Sequence, residues 1–240
     1  MKNLMIPALA LFLSAAAQAD DSPLWMRYCA ISPDGQTIAF SYQGDIYTVP
    51  SSGGKARQLT THPAHDTRPV WSPDGQRIAF ASNRSGNFDI FLMNKEGGEP
   101  KRLTTHSTNE YPTTFKDNGH ILYLANVLQD AKDIQFPGTR FMQVYEISTD
   151  GGRPDLYSSL YMENIALSKD GSKLLYNDYK GYEDPWRKHH QSSITRDIWL
   201  CTLGKDRSFQ KVTTFGGEDR NPVWLSLIHI SEPTRRSYIS

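Results

Sequence analysis

A ten-residue phrase occurs twice, forty residues apart, and this recurrence constrains the fold more than any other feature of the chain. Ile31-Ser32-Pro33-Asp34-Gly35-Gln36-Thr37-Ile38-Ala39-Phe40 returns as Trp71-Ser72-Pro73-Asp74-Gly75-Gln76-Arg77-Ile78-Ala79-Phe80. Looser copies begin at Phe115 and at Leu167, and another starts at Pro222-Val223-Trp224. Each copy continues in one order. Asp45-Ile46-Tyr47, Asp89-Ile90-Phe91, Gln143-Val144-Tyr145 and Asp197-Ile198-Trp199 read as third strands. Turns such as Gly53-Gly54, Gly97-Gly98 and Gly151-Gly152 follow, and fourth strands end in Leu59-Thr60-Thr61, Leu103-Thr104-Thr105 or Val212-Thr213-Thr214.

Pro-Asp-Gly sets proline where φ already suits it, Asp where it bonds the backbone, and Gly where φ must be positive, so each copy predicts a tight hairpin. Four short strands per period of about forty residues is the pattern of a propeller blade. A lone sheet cannot bury both faces and stacks on its neighbours around an axis. The expected class is therefore all-β: a β-propeller of four-stranded blades, with about four complete blades spanning roughly 24–62, 66–106, 109–160 and 163–216 and a fifth beginning at 219–224. Ile31, Trp71, Phe115, Leu167 and Trp224 share one repeat position and are expected to pack between blades.

A content of 38% hydrophobic and 11% aromatic residues supports a core. The 26 basic and 26 acidic residues balance without long runs of one sign, which argues against nucleic acid as a partner. Lys2, the apolar run over residues 4–13 and Ala17-Gln18-Ala19 together read as a signal peptide over residues 1–19, cleaved before Asp20. The run is too short to span a bilayer. The chain is thus expected in the periplasm or secreted, with no membrane span after cleavage. Cys29 and Cys201 fall on strand positions of separate blades and are read as buried free thiols.

Two repeats are longer, with insertions over about 125–140 and 178–195. The second carries Trp186-Arg187-Lys188-His189-His190. Loops hold function more often than strands do, yet such insertions also cover neighbouring blades. His62 and His106 occupy equivalent repeat positions, as do Asp66 and Asp219, and recurrence marks turns or strand ends rather than a catalytic group needed once. Adjacent His189 and His190 diverge and cannot jointly hold a metal unaided. With no Gly-x-Ser-x-Gly, Cys-x-x-Cys or phosphate loop, no catalytic residue, cofactor or metal ligand is assigned. The loops before each first strand offer Asp66, Arg68, Glu110, Asp219 and Arg220 either as channel-mouth residues or as plain strand-end contacts.

Ser-Pro-Asp-Gly blades with Asp-Ile-Tyr third strands resemble the propellers of the Tol-system periplasmic protein, tricorn peptidases and the prolyl oligopeptidase group. Residues 38–50, 186–199 and 217–223 look like the exported tricorn-type peptidases of Bacteroidetes-like bacteria, and the resemblance runs over about 23–224. It implies a parent with a six-bladed propeller, a PDZ module and a serine peptidase core. In that family the propeller is regarded as a gated channel for peptides or unfolded polypeptide, and a homo-oligomer is compatible with it. No catalytic position of the family has a counterpart here. After Trp224 the repeat gives way to Leu225-Ser226-Leu227-Ile228-His229, and residues 225–240 look like translated library adapter, so that the propeller is cut in mid-repeat. A stand-alone Tol-type scaffold and a prolyl-oligopeptidase-type enzyme are the competing readings. Fold alone does not separate them.

Overall fold

A computed structural model describes residues 25–127, 142–180 and 193–224. The signal-peptide reading, most of both insertions, His189, His190 and residues 225–240 lie outside the described residues.

Sixteen strands are described, grouped in four antiparallel sheets. The first holds β1 (Arg27–Ile31), β2 (Thr37–Tyr42), β3 (Asp45–Pro50) and β4 (Arg57–Gln58). The second holds β5 (Asp66–Trp71), β6 (Arg77–Ser82), β7 (Asp89–Asn94) and β8 (Gly97–Arg102). The third is β9 (Glu110–Asp117), β10 (His120–Ala125), β11 (Gln143–Ser148) and β12 (Asp155–Ser158). The fourth is β13 (Met162–Leu167), β14 (Lys173–Asp178), β15 (Ile198–Thr202) and β16 (Ser208–Lys211). In every sheet each strand pairs with its sequence neighbour, so the chain is a propeller of four-stranded blades.

The repeated turn is one hydrogen-bonded unit built three times. The hydroxyls of Ser32, Ser72 and Ser168 donate to Asp34, Asp74 and Asp170 at 2.5, 2.5 and 2.6 Å. Each hydroxyl also accepts the N–H five residues on, from Thr37, Arg77 and Lys173, at 2.9 Å. These donors hold the three aspartates below the ordinary carboxylate range. Gly35, Gly75 and Gly171 close the turns at φ 72°, 66° and 69°, where a side chain would be strained.

Later in three of the repeats, the Thr hydroxyl of the fourth-strand phrase accepts the N–H of the residue after the third-strand Asp. Ile46 donates to Thr60 at 3.0 Å, Ile90 to Thr104 at 2.9 Å and Ile198 to Thr213 at 3.1 Å. This bond explains why Asp-Ile and Leu-Thr or Val-Thr recur together.

The core lies between blades. Along β10, Ile121, Tyr123 and Ala125 join Ala79 and Ile90 of the second blade, whereas Leu122 and Leu124 join Leu174 and Tyr176 of the fourth. Alternate residues of one strand thus serve opposite faces, which accounts for its unbroken apolar run. Ile46 packs with Ile78, Phe80 and Phe91 across the first seam.

The shared inter-blade position divides. Phe115 is buried and Trp71 and Leu167 are half-buried, but Ile31 is 61% exposed and Trp224 is exposed. Among the described residues no blade covers the outer side of β1, which leaves Ile31 in solvent. The cysteine expectation also splits: Cys201 is buried, and burial raises its thiol pKa, whereas Cys29 on uncovered β1 is exposed.

Candidate functional site

The first strands of successive blades touch, β1 against β5, β5 against β9 and β9 against β13, so they form the inner wall. Three of them carry the same bulge. Pairing slips between Arg27 and Ala30, between Thr67 and Val70, and between Glu163 and Ala166. The bulged residue has a left-handed backbone: Tyr28 at φ 53°, Arg68 at 55° and Asn164 at 48°. Asn221 repeats it at 57°. In β9 the equivalent residue is Pro112, whose ring forbids positive φ.

Asn suits this conformation, whereas a longer side chain is strained there by about 1 kcal/mol. Tyr28 and Arg68 therefore occupy positions that backbone preference alone would fill with Asn or Gly. A bulge also re-aims the side chain it carries. The Arg68 guanidinium lies over the Tyr28 ring at 5.1 Å and over the Tyr111 ring of the third blade at 4.3 Å, both within cation–π range. Arg27 stacks on Trp25 at 5.3 Å.

These groups border a cavity of about 440 Å³ whose wall also includes Tyr42, His65 and Phe88. Phe88 connects the wall, meeting His65 edge-on at 6.0 Å and Tyr111 at 5.5 Å. Burial raises the Tyr111 phenol pKa, opposed by the Arg68 charge. No Asp or Glu lines the cavity, and among the described residues no hydrogen bond or ion pair engages the Arg68 guanidinium. The site is aromatic and cationic.

The other residues singled out from the sequence belong to the seams. Asp66 is 0% exposed and accepts both its bonds from Arg84, at 2.9 and 3.0 Å. Arg84 in turn stacks over Phe80 and Phe91. The N–H groups of Asp66, Glu110 and Asp219 donate to the carbonyls of Gly44, Phe88 and Arg196 in the preceding blade. The acidic residue that opens each of these blades is thus a tie between sheets. The carbonyl of Asp219 accepts from Asn177 at 2.7 Å, and Arg220 pairs with Glu218 at 2.5 Å. Glu218 also meets Arg196, which reaches Glu163 at 3.0 Å.

Glu110 is 1% exposed, and Asp89, Thr104 and Tyr123 are near enough to act on its charge. Burial pushes its pKa up to about 7, opposed by the Thr104 hydroxyl and reinforced by the Asp89 charge. Asp89 is itself fully buried, paired with Arg102 at 2.8 Å, and its pKa is raised. A proton on Glu110 removes its repulsion with the Asp89 carboxylate.

Of the five candidates, only Arg68 faces the cavity. The aromatic residues around it were not singled out from sequence. The available signal was the repeat position at which Tyr28 and Arg68 stand where Asn164 and Asn221 stand elsewhere.

Fold and site define a β-propeller whose inner strands carry an aromatic, cationic cleft. A family model for the tricorn protease N-terminal beta propeller domain matches residues 23–238, and the chain belongs to that family. It is 46% identical over 52 residues to the uncharacterized peptidase YuxL of Bacillus subtilis strain 168, covering 20% of this chain and 8% of that protein. It is 32% identical over 65 residues to tricorn protease homolog 1 of Streptomyces coelicolor, covering 27% of this chain and 6% of the relative. The matched segments span under a tenth of the length of these peptidases. The crystal structure of the tricorn protease superposes with a TM-score of 0.60 at 19% identity, over 80% of this chain and 18% of that one, which shows the shared fold.

Proposed function

We propose that this chain forms the substrate-admitting propeller of an exported serine peptidase that degrades peptides, with the catalytic groups carried elsewhere in the parent protein. Family membership and peptidase relatives support the parent activity. The observation that carries the reading is the cleft on the inner wall, where Arg68 stands between Tyr28 and Tyr111. Flat aromatic walls accept extended chains of varied sequence, and one fixed cation orients them.

Calorimetric titration of the folded chain with short capped peptides tests the reading. Binding that competes among peptides of different sequence is expected, with no hydrolysis by this chain. A folded chain that binds no peptide would refute it. Export is tested separately by amino-terminal sequencing of the chain from an expressing bacterium. The mature protein should begin at Asp20, and an intact Met1 in every fraction would remove that part of the proposal.

A further inference from the structure

Arg68 has the features of a recognition group that lacks its ligand. Its guanidinium is half-buried and stacked on two rings, and among the described residues it meets no carboxylate, although Arg84, Arg102, Arg196 and Arg220 each meet one. It occupies a left-handed bulge position at which the two later repeats carry Asn164 and Asn221. The wall adds Arg27 and contains no acid. We infer that this cleft selects extended peptide segments bearing an acidic side chain, whose carboxylate takes the fork of Arg68 while neighbouring residues lie against Tyr28, Tyr42 and Tyr111.

The inference rests on the peptide-binding reading above and deepens it. With two rings in cation–π range and no acceptor among the described residues, the guanidinium keeps its N–H fork for a carboxylate, which it matches with two parallel hydrogen bonds. A lysine or arginine side chain would meet two cations and no counter-charge. A neutral side chain would leave the guanidinium edge unpaired once the cleft is filled, a penalty that discriminates more sharply than apolar contact.

Three peptides of one sequence, acetylated and amidated, with Glu, Gln or Lys at the central position, separate the outcomes. The Glu peptide should bind about tenfold more tightly than the Gln peptide at low salt, and the gap should narrow as salt is added. Arg68→Asn should remove the advantage of the Glu peptide, so that the Glu and Gln peptides bind the variant equally. That variant suits the backbone there, so thermal unfolding should be unchanged or later. Arg68→Lys, which keeps the charge and loses the planar fork, should fall between. Equal binding of the Glu and Gln peptides overturns the inference and leaves the peptide cleft standing. A Gln peptide with a free terminal carboxylate that outbinds the capped Glu peptide also overturns it, because the site would then read chain ends. Failure of all peptides to bind refutes both readings.

Discussion

The indole N–H of Trp71 donates to the backbone carbonyl of Ala30 at 3.0 Å, tying the inner strand of the second blade to that of the first. Trp224 makes the equivalent bond to Ala166 at 2.8 Å. Phe115 and Leu167 hold the same repeat position without a donor, so those seams depend on packing. Trp71→Phe keeps a ring in the seam and orphans the carbonyl. It should cost about 1 kcal/mol in urea unfolding, and an unchanged midpoint would show that water replaces the bond.

Asp66 and Arg84 form a buried ion pair whose cation also lies over two aromatic rings. Asp66→Ala leaves that charge largely desolvated and uncompensated. A loss of about 3 kcal/mol is expected by chemical denaturation. A loss under about 1 kcal/mol would mean that Arg84 swings out to solvent and the seam does not depend on the pair.

Glu110 gives the chain a pH dependence of defined sign. Its folded pKa, about 7, lies above the ordinary 4.5, so folding favours the protonated acid. That stabilisation is complete below pH 4.5 and is lost as pH rises through about 7. Glu110→Gln stays neutral throughout. Relative to the wild type, it should therefore gain about 3 kcal/mol between the acid and alkaline ends of that window. Parallel wild-type and Glu110→Gln curves would show that the acid is ionised in the fold. Asp197 and Glu218, whose pKa values are lowered, act below the ordinary carboxylate range and do not compete in this window.

Ser72, itself fully buried, donates to Asp74 and accepts from Arg77. Ser72→Ala removes both bonds and should destabilise by about 1 to 2 kcal/mol. Ser168→Ala, at the half-buried equivalent in the fourth blade, should lose less. A larger effect at Ser168 would mean that burial does not set the strength of the turn.

The blades were legible because their signals are local. Ser32, Asp34 and Thr37 bond one another within a few residues, and the Asp-Ile and Leu-Thr phrases meet across a single hairpin. The roles of the acidic residues were not. Asp66 and Glu110 stand at one repeat position, yet Asp66 meets Arg84 and Glu110 meets Asp89, because their neighbours come from other strands. Ile31 shares its repeat position with Phe115, and only the presence of a facing blade decides which one is buried.

Sequence alone determined the strand count per blade, the turns and the class of fold, since each rests on hydrogen bonds between residues close in the chain. Tertiary structure alone decided the cleft. Tyr28, Arg68 and Tyr111 lie on three different blades, and nothing in their spacing sets one guanidinium between two rings. That juxtaposition exists because the inner strands converge on the axis and the bulges at Tyr28 and Arg68 turn their side chains toward it.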